Sequence, residues 1–380
     1  MQKAKKIVII AGEESGDIHA AVLIQQLKAR FSNIEISGIG GKHMQNAGAT
    51  LIYDLARYGV TGITEVVRFL RILHKAFQAI KAHLKAQKPD LLILVDYPGF
   101  NLRLAKYAKR KLGIKIIYYI SPQIWAWKGN RIHLIKECVD KMAVIFPFEK
   151  TIYEKAGVPV SFVGHPLVEK IPSAIDLLAS RKKLHLPTQK MVIALLPGSR
   201  NNEIEKHMPI LQETAVLLDK QLPNLHFVLP IAETINVEKI KAYFANQNLS
   251  LTYSQGNAID CMAAADFVIV ASGTASLECA LLEKPMCIIY KSSLLTYIAA
   301  MRLIKVKFLG LCNLLANKMV VPEFLQYDCN AIELSQYILN FCNDLNQPQK
   351  MINQLSDIKE SLSANKSDCS LYDLIETELS

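Results

Sequence analysis

The stretch IVIIAGEESGDIHAA, residues 7–21, runs from a short unbroken apolar segment through a glycine-punctuated turn into a helical pattern. Such a run, bounded by turn signals, fits a strand covered on both faces of a parallel sheet. Strand, tight turn and helix in succession outline a nucleotide-binding loop. The turn itself argues against that ligand. Backbone N–H groups and the positive end of a helix dipole hold phosphate, and Glu13 and Glu14 put two carboxylates where a pyrophosphate has to sit.

The same unit recurs outward from this point. KKIVII, IEISGIG, DLLILVDYP and IKIIYYISP are separated by helical patterns, the alternation of a doubly wound α/β domain. FVGHPLVEKIPSA at 162–174 interrupts it, and KMVIALLPGSR, HFVLPIA, LTYS, DFVIVASGTASLE and PMCIIY then resume it. The expectation is two Rossmann-like domains, residues 1–168 and 169–345, with a hinge near His165–Pro166. They are expected to face a cleft at the carboxyl ends of their sheets, where such folds bind ligands.

Hydrophobic residues make up 51% of the chain and charged residues 21%, a globular balance, and no uncharged run approaches the ~18–20 residues of a membrane span. The N-terminal MQKAKKIVIIAGEESGD lacks a signal-peptide cleavage pattern and reads as mature, cytoplasmic sequence. The eight cysteines are scattered, without C-x-x-C pairs, and read as reduced core thiols. Lys and Arg exceed Asp and Glu by 44 to 34, a surplus that serves nucleic acid, anionic lipid or phosphorylated substrates. Its concentration between Arg57 and Lys115 points to the helical pattern TEVVRFLRILHKAFQAIKAHLKAQK, 64–88. There Val66, Phe69, Leu70, Leu73, Phe77, Ile80 and Leu84 recur at helical spacing beside a basic flank. Core packing and an anionic membrane surface both fit that pattern, as they do for KSSLLTYIAAMRLIKVKFLGLCN, 291–313.

Two turns in the second half suit an anion. In SGTASLE, Ser272, Gly273 and Thr274 let backbone approach a ligand just ahead of a helix that continues through Ala275 and Ser276. Glu278, one turn in, suits a ribose diol or simple dipole compensation. In PGSR, Ser199 and Arg200 precede another helix, and an arginine there can fork onto phosphate oxygens as a diphosphate leaves. In the first half Asp96 ends a strand in ILVDYPGFN, the place for a general base or a cap, and Asn101 reads as a cap or polar positioner. ISPQIWAWKGNR, 120–131, joins both tryptophans to basic residues, a pattern that suits a sugar face or plain packing. A P-loop, a dinucleotide fingerprint and a D-x-D pair are all missing, so ATP hydrolysis, hydride transfer and a metal-held diphosphate lose their usual support. No cofactor and no metal are expected.

Taken together, AGEESGD, VDYPGFN, SPQIWAWKGNR, VGHP, PGSRNNE, SGTASLE, LTY and VVPEFLQ stand in an order that resembles the lipid-A-disaccharide synthase family, glycosyltransferases of GT-B fold, over about Lys6 to Gln326. The resemblance implies inverting transfer of 2,3-diacylglucosamine from UDP-2,3-diacylglucosamine to the 6-hydroxyl of 2,3-diacylglucosamine 1-phosphate (lipid X), forming a β-1,6 link and releasing UDP. By the same resemblance Asp96 is the candidate base, Arg200 the diphosphate arginine and Ser272 to Glu278 the nucleotide loop. Glu14, Ser15, Gly16, Asp17, Asn101, Gln123 and Asn313 then fall on the acceptor side, where the acids of the opening loop suit a hydroxyl-rich sugar. In the LPN-like segment Cys312 stands where proline is usual, and Asn317 replaces a usual glycine.

Acylated substrates make a peripheral contact with anionic lipids of the inner membrane's cytoplasmic face the expectation for Val66, Phe69, Leu70 and Leu73, with no nucleic acid partner and a homodimer left open. The tail 346–380 is expected to pack back on the first domain, as in GT-B proteins. The rival readings are another GT-B enzyme using UDP-N-acetylglucosamine and a non-catalytic basic membrane-binding protein.

Overall fold

The computed structural model describes residues 4–56, 63–126, 129–172, 176–293, 297, 306–363 and 366–379, with the backbone alone for 63–69. The chain forms two compact units, Met1–Pro166 with Leu362–Ser380, and Leu167–Ser361.

In the first unit seven parallel strands run β1 (Lys5–Ala11), β2 (Ile34–Gly40), β3 (Thr50–Asp54), β4 (Leu91–Val95), β5 (Ile116–Tyr119), β6 (Lys141–Val144) and β7 (Val160–Phe162), in the order β3-β2-β1-β4-β5-β6-β7. The order reverses between β1 and β4, the switch point of a doubly wound sheet. Burial on both faces explains why these strands read as unbroken apolar runs: every residue of β4, LLILV, is buried. Among the helices that cover the sheet, Ile63–Gln87 contributes Ala76, Ile80 and Leu84 to the core, four residues apart on one face, with Ile72, Leu73 and Phe77 packed partly against it.

Leu73 is half-buried and packs against the core on one side. Leu70 is 59% exposed, and the side chains of Val66 and Phe69 lie outside the described residues. Leu73→Ser is expected to lower stability by about 1–2 kcal/mol, whereas Leu70→Ser leaves the melting temperature unchanged; paired thermal melts check this. Of the second basic segment, residues 294–296 and 298–305 are outside the described residues. Among the described residues no helix is long and apolar enough to cross a membrane.

The second unit carries six parallel strands, β8 (Met191–Leu196), β9 (Leu225–Ile231), β10 (Leu251–Gln255), β11 (Phe267–Ala271), β12 (Met286–Tyr290) and β13 (Glu323–Leu325), ordered β10-β9-β8-β11-β12-β13. Its switch point lies between β8 and β11. Helix Gln347–Leu362 stays with this unit through Ser361, later than a change-over at 346. Its Leu355 is buried, Met351 Sδ accepts from Met286 N at 3.4 Å, and Lys359 pairs with Glu283 at 2.7 Å.

From Leu362 onward the chain belongs to the first unit, where Leu362 O accepts from His165 N at 3.1 Å. Asp368 accepts from Phe162 N at 2.8 Å and pairs with Lys150 at 2.6 Å. Helix Leu371–Leu379 buries Leu371, Leu374, Ile375 and Leu379, while Arg30 reaches Asp373 and Glu376. An acidic, amphipathic tail thus covers a basic, apolar strip of the first unit.

Candidate active site

The loops that follow β8 and β11, with residues after β9 and β10, line a half-open cavity of about 520 Å³ at the switch point of the second unit, large enough for a nucleotide. Gly198, Ser199, Arg200 and Glu203 line it from one side, and Ser272, Gly273, Thr274 and Ala275 from the other. The second loop ends at the start of helix Thr274–Leu281. Gly273 has φ of 151°, a conformation that side chains rarely adopt, and the space a Cβ there would fill is open, so an anion can approach the first amides of that helix.

Ser276, expected among the ligand contacts, is fully buried; its Oγ donates to Gly273 O at 2.7 Å and fastens the turn from behind. Glu278 lies one turn further along the helix and does not line the cavity. Burial raises its carboxyl above the usual range, and the charge of Lys170 pulls it partly back.

Glu203, unremarked in the sequence, organises the other loop. Its Oε2 accepts from the backbone N–H of Ser199 at 3.1 Å and of Arg200 at 3.3 Å, and its Oε1 takes the Arg200 guanidinium at 3.0 Å. Gly198, at φ 113°, leaves room for that carboxylate, which a Cβ would strike. Behind it, buried His207 donates from Nδ1 to Pro197 O at 2.7 Å and accepts Lys291 N–H on Nε2 at 3.0 Å. That arrangement requires the neutral imidazole, and burial lowers its pKa accordingly. The signal for Glu203 was present: it is the N3 residue of a helix whose N-cap is Arg200.

In the first unit, Asp96 follows β4 at the switch point, beside the loop that follows β1. Asp96 and Tyr97 are both left-handed, with φ of 45° and 46°. Two consecutive non-glycine residues in that region are strained, and surrounding bonds hold them. Asn101 Nδ2 donates to Val95 O at 3.1 Å and Asp96 O at 2.7 Å, Tyr118 OH donates to Asp96 O at 2.6 Å, and Asp96 N donates to Tyr119 O at 3.0 Å. The Tyr97 ring lies against Gly12, where a Cβ would collide with it, so the two loops touch. Burial, followed by the charge of Glu13, raises the Asp96 carboxyl to about 6. A carboxylate poised there is ionised at neutral pH yet basic enough to take a proton from a hydroxyl.

Glu14 and Ser15 are exposed at the start of helix Glu14–Arg30, Gly16 is buried against Ala11, and Gln123 is exposed in the loop after β5. All lie at the same end of the sheet as Asp96. Three expected acceptor contacts are structural instead. Asp17 is 1% exposed, and its oxygens accept from the backbone of Gly41 at 2.8 Å, His43 at 3.0 Å and Met44 at 3.0 Å, capping the short helix Lys42–Asn46. Asn101 is fully buried and acts on the backbone of Asp96 as above. Asn313, also fully buried, is spent on Val320, Val321 and Glu323 in the second unit.

Glu13→Gln is expected to move the acidic limb of the kcat/KM profile to lower pH, since removing the repulsion eases ionisation of Asp96; a pH–rate profile checks the direction.

Two doubly wound units, with an anion-ready cavity at the switch point of one and a buried carboxylate at that of the other, give the architecture of the GT-B fold. The solved glycotransferase of kitacinnamycin aligns with a TM-score of 0.67 and 13% identity over 100% of both chains. MurG of Acinetobacter baumannii aligns at 0.57 and 15% over 98% of this chain and 99% of its own. At such identities the likeness is one of fold. A family model described as lipid-A-disaccharide synthetase matches residues 7–377. Lipid-A-disaccharide synthase 1 of Legionella pneumophila (strain Lens) is 72% identical over 379 residues, 100% of this chain and 99% of that protein. The chain belongs to the lipid-A-disaccharide synthase family.

Proposed function

We propose that this chain transfers 2,3-diacylglucosamine from UDP-2,3-diacylglucosamine to the 6-hydroxyl of 2,3-diacylglucosamine 1-phosphate, giving the β-1,6 disaccharide 1-phosphate and UDP. Family membership supports the substrates, and the placement of Asp96 directly after β4 at the switch point, its backbone held by Asn101 and Tyr118, is the observation that carries the chemistry. The second unit holds UDP, its diphosphate against the amides of Thr274 and Ala275 and the Arg200 guanidinium. The first unit presents the acceptor through Glu14, Ser15, Gly16 and Gln123.

The 6-hydroxyl oxygen attacks the anomeric carbon as its proton passes to Asp96. The carbon–oxygen bond to the β-phosphate breaks from the opposite side, and UDP leaves with the bonding electron pair. Inversion follows from this single displacement. Arg200 and the helix amides stabilise charge developing on the diphosphate, and the proposed displacement is written without a metal ion. Leu70 with Arg71 and Lys75, all exposed, gives a peripheral contact with anionic lipid. A product assay offering acylated and unacylated UDP-sugars, with and without chelator, tests the proposal. Chelator-independent turnover of the acylated donor is expected, and turnover of UDP-N-acetylglucosamine alone overturns it.

A further inference from the structure

Glu149 is a buried carboxylate that the chemistry above does not use. It stands in the first turn of helix Pro147–Lys155, where its Oε2 accepts from Phe146 N at 3.3 Å as an ordinary cap. Capping explains only half of the group. A capping carboxylate normally turns its second oxygen to water, yet Glu149 is 1% exposed. Its Oε1 instead accepts from Ser121 Oγ at 2.6 Å and Trp125 Nε1 at 3.1 Å, both in the loop after β5. Trp125 then packs edge-to-face on Phe148, with ring centroids 5.1 Å apart. Between these two anchors the chain turns out to exposed Gln123.

We propose that Glu149 is a positioning residue for acceptor binding, holding the 121–126 loop so that Gln123 faces the acceptor sugar. This rests on the acceptor being bound by the first unit. All three bonds are donated to Glu149, so the ionised form is the one that keeps both anchors; a proton on Oε1 turns an acceptor into a donor and releases one of them. The groups that face the carboxyl are the Ser121 hydroxyl, the Trp125 indole, the Phe146 and Ile145 amides and the Tyr153 phenol. Among the described residues no cation is one of them, and burial raises its pKa to about 7 against the lowering effect of those hydrogen bonds. The loop is thus most firmly held above neutrality.

The test separates Trp125 by replacing the chain's other tryptophan, Trp127→Phe. In that background Trp125 emission is expected to change with pH around a midpoint near 7, and the change is expected to vanish in Glu149→Gln. Ser121→Ala removes a donor that favours the carboxylate, so it moves the midpoint upward and serves if Glu149→Gln does not fold. With the acylated substrates, Glu149→Gln is expected to raise the acceptor KM about tenfold while kcat and donor KM stay within about twofold. An unchanged acceptor KM, or an emission transition that persists without the carboxyl, overturns the proposal. So does a parallel loss in kcat and both KM values, which marks a merely structural role. If the wild-type protein transfers no acylated sugar, the failure is that of the proposed reaction, and the emission arm still decides whether Glu149 holds the loop.

Discussion

Asp96→Asn is expected to lower kcat by about 10²–10⁴-fold, the contribution of a positioned general base, while making the protein more heat-stable at neutral pH. Asparagine tolerates the left-handed backbone at this position and keeps its shape. The sign of the stability change follows from proton linkage. The carboxyl titrates near 6 in the folded chain against 3.8 for an ordinary aspartate. Between those values the folded chain binds the extra proton, so this group favours folding at low pH and that advantage is lost as pH rises through about 6. At pH 7 the ionised carboxylate opposes folding by about 1–3 kcal/mol, the lower figure allowing for partial solvent access. Asp96→Asn removes that cost, and calorimetry at pH 7 is expected to show a rise of a few degrees that shrinks towards pH 4. Full turnover in a folded Asp96→Asn protein would show that another group takes the proton. Lost turnover with a lowered melting temperature would make Asp96 a scaffold residue.

The sheets were legible because both-face burial writes itself into sequence as unbroken apolar runs; LLILV and FVIVA could only be interior strands. The anion-binding turns were legible for a similar reason. Small residues between a strand and a helix have few other uses, and Ser272, Gly273 and Thr274 line the cavity. Asp17 was misread because its partners, Gly41, His43 and Met44, are 24 to 27 residues away and supply backbone N–H groups that no side-chain pattern announces. Asn313 was misread in the same way: a fully buried amide serving backbone groups looks, as a letter, like one serving a ligand, whereas the polar-positioner reading of Asn101 fits its bonds to Val95 O and Asp96 O. Leu73 and Leu70 share a helical stripe in sequence, and only the direction of the sheet separates them. Glu149 was missed because its function depends on Ser121 and Trp125, brought to it by the pairing of β5 with β6.

Arg200→Ala is expected to lower kcat/KM by about 10²–10³-fold, comparable to losing one preorganised donor at a developing anion, with no change in melting temperature. The stability half follows from exposure. The Arg200 side chain is 81% exposed and its ion pair to Glu203 is a surface contact that adds little to folding. The kinetic half depends on the diphosphate drawing the guanidinium into its own field, where a fork of N–H donors matches two phosphate oxygens; Arg200→Lys, a point charge without the fork, is expected to recover only part of the loss. Glu203 gives the sharper discrimination, because it grips the Ser199 and Arg200 backbone with one oxygen and the guanidinium with the other. If it acts by placing Arg200, then Glu203→Ala loses activity in the wild-type background and almost nothing further in Arg200→Ala. The double-mutant cycle would show strong coupling. Additive losses would instead mean that Glu203 shapes the Pro197–Ser199 wall independently, and the arginine would have to find the diphosphate without its help.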